Sequence, residues 1–183
     1  MRFIAASIKF LPLTILLLLT GALQAADVSP SEYKLKAAFI YHFSQFVDWP
    51  AKAFPDANAP FVIGVLGENP FGADLEQTVN GKSMGSHPLK VKEFHSLAEA
   101  QNNCHILFIS SSEQSKLPEI VSGLGTAGIL TVGEADNFGD AGGMIQFVIE
   151  GGKMRFRINE TITAKANLKV SAKLLSLASH TAK

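Results

Sequence analysis

The chain has 183 residues, and its 16 lysines and arginines balance its 16 aspartates and glutamates at pH 7. This balance gives no basic excess for binding nucleic acid and no acidic tract typical of a solvating tail. A single cysteine excludes an intramolecular disulfide, and the length is that of about one domain, which can bury a core without covalent staples.

The first 25 residues have the three parts of a secretion signal. Arg2 and Lys9 form a positively charged start, an apolar run follows, and small residues surround a cleavage site predicted after Ala25. The apolar run is shorter than the roughly 20 residues of a membrane-spanning helix, although an uncleaved anchor is the alternative. We predict that residues 1–25 are a signal peptide and that residues 26–183 form a single exported domain.

The next element is a predicted helix, rich in aromatic residues, from Glu32 to Pro50. Ser29 and Glu32 have the spacing of a capping box, with Pro30 in the first turn. Apolar side chains recur at three- and four-residue spacing, which gives one broad apolar face. The residue before Pro50 is disfavoured in helical geometry, so the helix should end there. Its pattern favours docking against the protein's own core.

Strand and helix signals then alternate along the chain. Short apolar, β-branched runs predict strands, and the segments between them predict helices. The predicted strands are Phe61 to Gly67, Leu89 to Phe94, Cys104 to Ser110 and Gly128 to Val132, and the predicted helices are Ala73 to Val79, Ser96 to Gln101 and Glu113 to Leu124. This alternation is typical of a largely parallel sheet with helices on its faces.

The pattern changes near the end of the chain. Two strand-like runs, Met144 to Glu150 and Lys153 to Ile158, flank Gly151-Gly152, which is a strong hairpin signal. Apolar residues from Ala164 to Ala178 predict a final helix. The predicted fold class is therefore α/β: a three-layer sandwich with a mostly parallel sheet and an antiparallel hairpin near one edge.

Motifs for catalysis and for metal binding are not found in the sequence. The histidines lack zinc-site spacing, and no nucleophile elbow or phosphate-binding loop occurs. We therefore predict no enzyme activity, no catalytic residue, no metal site and no cofactor. Cys104 lies in a buried-strand pattern, which favours a core residue over a redox thiol.

Two regions are candidates for binding. Gly67, Gly72, Ser110 and Ser112 follow two predicted strands, where α/β domains commonly bind small ligands. The simpler interpretation of these four residues is a strand-to-helix turn and a helix cap.

The second candidate is the predicted hairpin. Its first strand carries apolar groups on both faces, and its second alternates basic and apolar residues. Core packing with a solvated arginine row is one interpretation, and a recognition patch is the other. The candidate partner-contact residues of such a patch are Ile145, Phe147, Arg155 and Arg157.

Five segments, in order, cover nearly the whole chain after the signal: YKLKAAFIYHFSQFVDWP, VIGVLGENPFG, CHILFIS, GILTVGE and GGMIQFVIEGGKMRFRINETITAKANLKVSAKLLSLA. Together they resemble the YfiR-like family of periplasmic regulators. The resemblance implies a non-catalytic protein of the periplasm. It also places Cys104 at a family cysteine position, but this chain lacks a second thiol for disulfide-based sensing.

The resemblance implies a partner in the inner membrane. We predict a periplasmic regulator that binds and represses the periplasmic part of a signalling enzyme, namely a diguanylate cyclase of cyclic-di-GMP signalling. An outer-membrane lipoprotein is a further implied partner, and a homodimer is left open. The alternative function is a periplasmic small-ligand binding module that feeds a sensor kinase. Nucleic acid is not expected as a partner.

Overall fold

The structure is a computed structural model that describes residues 30–179. The predicted signal peptide, residues 1–25, and the Ser29 cap lie outside the described residues. Within residues 30–179, none of the helices has the length and apolar character needed to cross a membrane.

The described chain forms nine strands and six α-helices. The strands are β1 Val47–Asp48, β2 Phe61–Leu66, β3 Ser83–Met84, β4 His87–Phe94, β5 Ile106–Ile109, β6 Leu130–Gly133, β7 Ile145–Glu150, β8 Lys153–Ile158 and β9 Lys169–Val170. The helices are α1 Pro30–Phe46, α2 Asp74–Val79, α3 Leu97–Ala100, α4 Leu117–Leu124, α5 Glu160–Lys165 and α6 Ala172–Leu175, with 3₁₀ turns at Ala51–Ala53 and Ser111–Lys116.

Seven strands form one sheet in the order β3-β4-β2-β5-β6-β7-β8. The five inner strands are parallel to one another: β4, β2, β5, β6 and β7. The two edge strands, β3 and β8, each pair antiparallel with their neighbours. The predicted α/β class, the mostly parallel sheet and the hairpin at one edge are confirmed. The short antiparallel strand β3 at the opposite edge was not predicted.

Side chains that alternate along the inner strands build a core on each face of the sheet. In β5, Ile106 and Phe108 join the cluster that contains α1, α2 and α6, whereas Leu107 and Ile109 join the cluster that contains α3 and α4. Strands that are buried on both faces in this way read as continuous apolar runs, which is why the sequence identified them.

Helix α1 lies against the sheet through its aromatic residues. Phe43 is fully buried, and its ring centroid lies 5.9 Å from that of Phe147 and 5.2 Å from that of Phe156. Phe39 contacts the same two rings. Burying each such side chain stabilises the fold by roughly 1.5–3 kcal/mol, so α1 is a core helix.

Two of the predicted helices differ from those in the structure. Helix α1 ends at Phe46 rather than at Pro50, because the following residues form β1 and pair antiparallel with β9. The predicted helix from Ala164 to Ala178 is in fact α5, β9 and α6. Asn167 interrupts it with a φ of +60°, a left-handed conformation that ends a helix.

Candidate functional site

The first candidate region is the crevice between the carboxyl ends of β2 and β5, where the strand order reverses. Gly67 adopts φ +88° there, and a Cβ added to it would lie 2.5 Å from the Ser112 Oγ. The same Oγ accepts a hydrogen bond from the Glu68 N–H at 3.0 Å. The structure therefore brings Gly67 and Ser112 together, and the protein's own loop fills the crevice.

Ser110 and Gly72 also have local structural roles. The Ser110 Oγ accepts a hydrogen bond from the Ser112 N–H at 3.4 Å and caps the 3₁₀ turn. Gly72 is exposed, adopts φ +52° in the turn before α2, and has open space where a Cβ would lie. The geometry thus supports the turn-and-cap interpretation of these four residues.

The structure corrects the apolar half of the predicted hairpin patch. Ile145 and Phe147 are 0% and 3% exposed, because both side chains point to the face that α1 covers. Neither residue is available for direct contact with a partner in this structure. Arg155 is exposed and Arg157 is half-buried, so the basic half of the patch does lie at the surface.

Arg157 belongs to a polar network that joins the hairpin to the last described residue. The Glu150 Oε1 accepts hydrogen bonds from Arg157 Nη2 at 2.7 Å and Nε at 3.2 Å. The Glu150 Oε2 accepts from the Ser179 Oγ at 2.7 Å, while the Ser179 N–H donates to the Phe156 carbonyl at 2.8 Å. The Ser179 hydrogen bond and then the Arg157 guanidinium hold the pKa of Glu150 below its usual value.

An exposed apolar residue accompanies this network. Ile149 lies two positions after Phe147 in β7, yet 59% of its surface is exposed, because the hairpin extends beyond the cover of α1. We call Ile149, Glu150, Arg155, Arg157 and Ser179 the hairpin tip surface. Sequence reasoning missed Glu150 and Ser179, since nothing in their local pattern pairs them.

A cavity of about 640 Å³, the hairpin pocket, lies beside the hairpin tip surface. Side chains of the hairpin, of the first turns of α1 and of the loop after β6 form its walls. The lining residues are Glu32, Tyr33, Lys36, Ser111, Glu134, Asp136, Gln146, Phe147, Val148, Ile149, Met154 and Arg157.

A buried ion cluster forms one wall of the hairpin pocket. Lys36 is 3% exposed, and its Nζ pairs with Glu32 at 2.6 Å and with Glu134. The Glu134 Oε1 also accepts hydrogen bonds from the Tyr33 hydroxyl and the Ser111 hydroxyl, each at 3.0 Å. Burial and the neighbouring Glu134 raise the pKa of the Tyr33 hydroxyl. The cluster thus fixes the start of α1 to the loop after β6.

Cys104 lies far from this wall, in the core formed by α3 and α4. Its Sγ is 3.5 Å from the Ala100 carbonyl oxygen, and burial raises the pKa of the thiol to about 12. Such a thiol stays protonated and acts as a small apolar group. Within residues 30–179, no group of histidine, cysteine, aspartate or glutamate side chains is arranged to hold a metal ion.

The fold and the site define a three-layer α/β domain with a charged, protruding edge hairpin. The chain belongs to the YfiR/HmsC-like family, whose model matches residues 33–179. Proteins of this family are periplasmic regulators of cyclic-di-GMP signalling and are known as non-catalytic.

Solved structures show likeness at low identity. A conserved domain protein from Vibrio cholerae O1 biovar El Tor is 12% identical, with a TM-score of 0.51 over 80% of this chain and 59% of that one. The ABC domain in complex with L-Trp from Streptococcus pneumoniae is 13% identical, with a TM-score of 0.48 over 64% of this chain and 54% of that one. This chain therefore spans little more than half of either. The Vibrio likeness shows the fold alone. No curated protein matches the chain.

Proposed function

We propose that this protein binds the periplasmic part of an inner-membrane diguanylate cyclase through the hairpin tip surface and thereby represses it. The observation that carries this proposal is the exposed tip, which presents Ile149 on one face of the hairpin and Arg155 and Arg157 on the other. Arginine is enriched at protein interfaces, and the centre of an interface is more apolar than its polar rim. Family membership supports the class of partner.

The chemistry of the tip indicates what the partner offers. Arg155 is exposed and free to pair with a carboxylate, whereas Arg157 is already held by Glu150. The partner surface should therefore combine an acidic group with an apolar depression for Ile149. Repression follows if the cyclase's inactive conformation binds this surface more tightly than its active one, because a ligand shifts an equilibrium only by its differential affinity.

A competitor for the same surface would relieve repression. An outer-membrane lipoprotein that binds the hairpin tip surface would remove the regulator from the cyclase by mass action. A homodimer that uses the tip would have the same effect on the free concentration of regulator. Both belong to the proposal and are tested by the same variants.

The test combines the full-length protein with transmembrane diguanylate cyclases of its own genome, taken one at a time, and measures cellular cyclic-di-GMP. We expect the protein to lower the output of one cyclase roughly tenfold, within the usual range of coupling between sites. Ile149→Asp and Arg155→Glu should restore the output. Lys90→Glu, a charge reversal on exposed β4, is the matched control and should still repress. Full repression by the two tip variants would overturn the proposal.

A second candidate function rests on the hairpin pocket. Its volume of about 640 Å³ lies within the range of small-ligand sites, and its walls combine apolar and charged groups. A small-ligand module that feeds a sensor kinase would use such a cavity. Screening small metabolites by thermal shift tests it, since a ligand that binds only the folded protein raises the Tm. Val148→Trp, which narrows the cavity, should abolish the shift if the pocket is the site.

A further inference from the structure

Two histidines and a phenylalanine form a stack at the amino ends of the strands, away from the hairpin. The Phe54 ring lies between His87, with centroids 3.8 Å apart, and His105, at 4.7 Å, and all three rings are close to parallel. The His105 ring also stacks on Phe61 in β2, with centroids 4.7 Å apart. Phe54 lies in the segment 50–60, which joins β1 to β2, so this stack fastens the segment to the sheet.

The hydrogen bonds of His105 require a neutral ring. The Val62 backbone N–H donates to Nδ1 at 3.1 Å, and Nε2 lies 3.1 Å from the Ala53 carbonyl oxygen. Because an amide nitrogen only donates and a carbonyl only accepts, Nδ1 is unprotonated and the proton is on Nε2. A second proton on Nδ1 would face the Val62 N–H and break that bond inside a buried site.

His87 responds differently to a proton. Its Nδ1 lies 2.7 Å from the Ala59 carbonyl oxygen, so Nδ1 is the nitrogen that carries the proton in this hydrogen bond. A protonated His87 keeps its hydrogen bond but places a positive charge on the far side of Phe54 from His105. Two protonated rings across one phenylalanine repel each other, which further disfavours the closed stack.

The charged groups around the stack do not compensate a proton on His105. On the segment 50–60, the charged residues Lys52 and Asp56 are exposed. On the neighbouring strand β4, Lys90 pairs with Val62 of β2 and is also exposed. The titratable neighbour whose charge acts on the ring is His87. Within the described residues, His105 has no ion pair with a carboxylate. Burial, the largest cause, and the charge of His87 lower the pKa of His105.

We propose that His105, Phe54 and His87 form an acid-sensitive latch, which holds the segment 50–60 on the sheet at neutral pH and releases it in mild acid. The sign follows from linkage. The closed latch disfavours protonated His105, so its stability is complete above the open-state pKa of about 6.5 and falls as the pH drops below it. The ratio of open to closed latch should rise by up to about tenfold per pH unit, and by about thirtyfold from pH 7.5 to pH 5.

Two reporters belong to the latch. The Val62 amide hydrogen is itself the donor to His105, so its exchange protection measures the closed state. Trp49 is the only tryptophan of the chain, and its ring lies edge-on to Phe61 with centroids 4.8 Å apart. We expect Val62 protection, corrected for the intrinsic pH dependence of exchange, to fall between pH 7.5 and pH 5 while Trp49 emission shifts to the red. Far-UV circular dichroism should stay constant, which separates latch opening from unfolding.

Three variants of the full-length protein make the test decisive. His105→Asn offers an amide that can accept and donate without titrating, and should remove the pH dependence. If that variant does not fold, His87→Asn, which removes the second charge, should weaken the pH dependence instead. His95→Gln changes an exposed histidine outside the stack and should leave it intact. A Val62 protection that is constant from pH 7.5 to pH 5 in the unmodified protein, or an unchanged loss in the His105 variant, would overturn the proposal.

Discussion

Two regions lie near the carboxyl ends of the parallel strands: the crevice between β2 and β5, and the hairpin pocket. Only the hairpin pocket is open. In the crevice, Ser112 packs onto Gly67 and bonds the next backbone amide. Beside the hairpin, a cavity of about 640 Å³ lies between the first turns of α1, the loop after β6 and β7. The strand order alone would have placed a ligand in the crevice. The comparison teaches that the side chains after each strand decide which opening is available.

The two regions also differ in their polar groups. Around the crevice, the serine hydroxyls satisfy backbone N–H groups and so complete local turns. At the hairpin, charged side chains from distant parts of the chain meet, and Arg155 is left exposed. Four pairs of substitutions test this contrast.

The largest expected effect separates the root of the hairpin from its tip. Phe147→Ala should destabilise the protein by about 3–5 kcal/mol, because it empties a site packed by Phe39 and Phe43. Ile149→Ala, two residues further on the same strand face, should change stability by less than about 0.5 kcal/mol because its side chain is exposed. Urea unfolding measures both. Equal losses would show that the tip is part of the core.

A smaller loss is expected at the wall of the hairpin pocket. Lys36→Met leaves the Glu134 carboxylate without its cation. Removing one partner of a buried ion pair should lower the free energy of unfolding by about 3 kcal/mol. This is the lower end of the usual range, because Glu32, the other carboxylate of the cluster, stays partly solvated. Lys116→Met is the control, because that lysine is exposed and its pair with Glu113 contributes at most about 1 kcal/mol. The free energies of unfolding in urea compare them. Similar values would mean that the cluster is not closed to water.

The crevice is tested by adding one methyl group. Gly67→Ala should cost about 2 kcal/mol, part from the positive φ and part from displacing the Ser112 hydroxyl from the Glu68 N–H. Gly72→Ala has a positive φ but open space, so about 1 kcal/mol is expected. Chemical denaturation distinguishes them. If Gly67→Ala is no worse than Gly72→Ala, the crevice has room and the contrast with the pocket fails.

The smallest effect concerns the charge state of the tip. Ser179→Ala removes the main hydrogen bond that lowers the pKa of Glu150, so this pKa should rise toward its usual value. A carboxyl group whose pKa is lowered by folding stabilises the fold above its unfolded-state pKa. This stabilisation is lost as the pH falls through the folded-state pKa. The variant should therefore be less stable than the unmodified protein at neutral pH, but not in strong acid. NMR titration of the Glu150 carboxyl carbon measures the shift. Ser176→Ala, whose hydroxyl donates to the Lys173 carbonyl instead, should leave it unchanged.

Local patterns predicted most of the fold. The apolar runs of β2 and β5 and the Gly151-Gly152 turn carry their signals in a few neighbouring residues, and the structure has each of them in place. The predicted final helix was wrong because Leu168 and Leu175 have helical spacing, although Asn167, with its left-handed φ, ends the helical stretch just before Leu168. Pairing of Val170 with Val47, far away in sequence, then makes a strand that no local pattern indicates.

The candidate site was harder to predict for the same reason. Alternation along β7 identified which residues share a face but could not show that α1 covers Phe147 and stops short of Ile149. Nor could it pair Lys36 with Glu134, which is 98 positions away, or Glu150 with Ser179. The arginines of β8 were correctly assigned to the surface because a basic residue without a nearby partner rarely lies buried.

The small sheet of β1 and β9 has a consequence for how the protein is made. Helix α1 leaves the ribosome early, but the strands that cover its aromatic face and the β9 strand that pairs with its end are among the last segments synthesised. Until then, a helix rich in phenylalanine has no native partner, and contacts between such distant segments form slowly. A chaperone that shields the α1 segment should therefore be needed until the whole chain, β9 included, is free to fold.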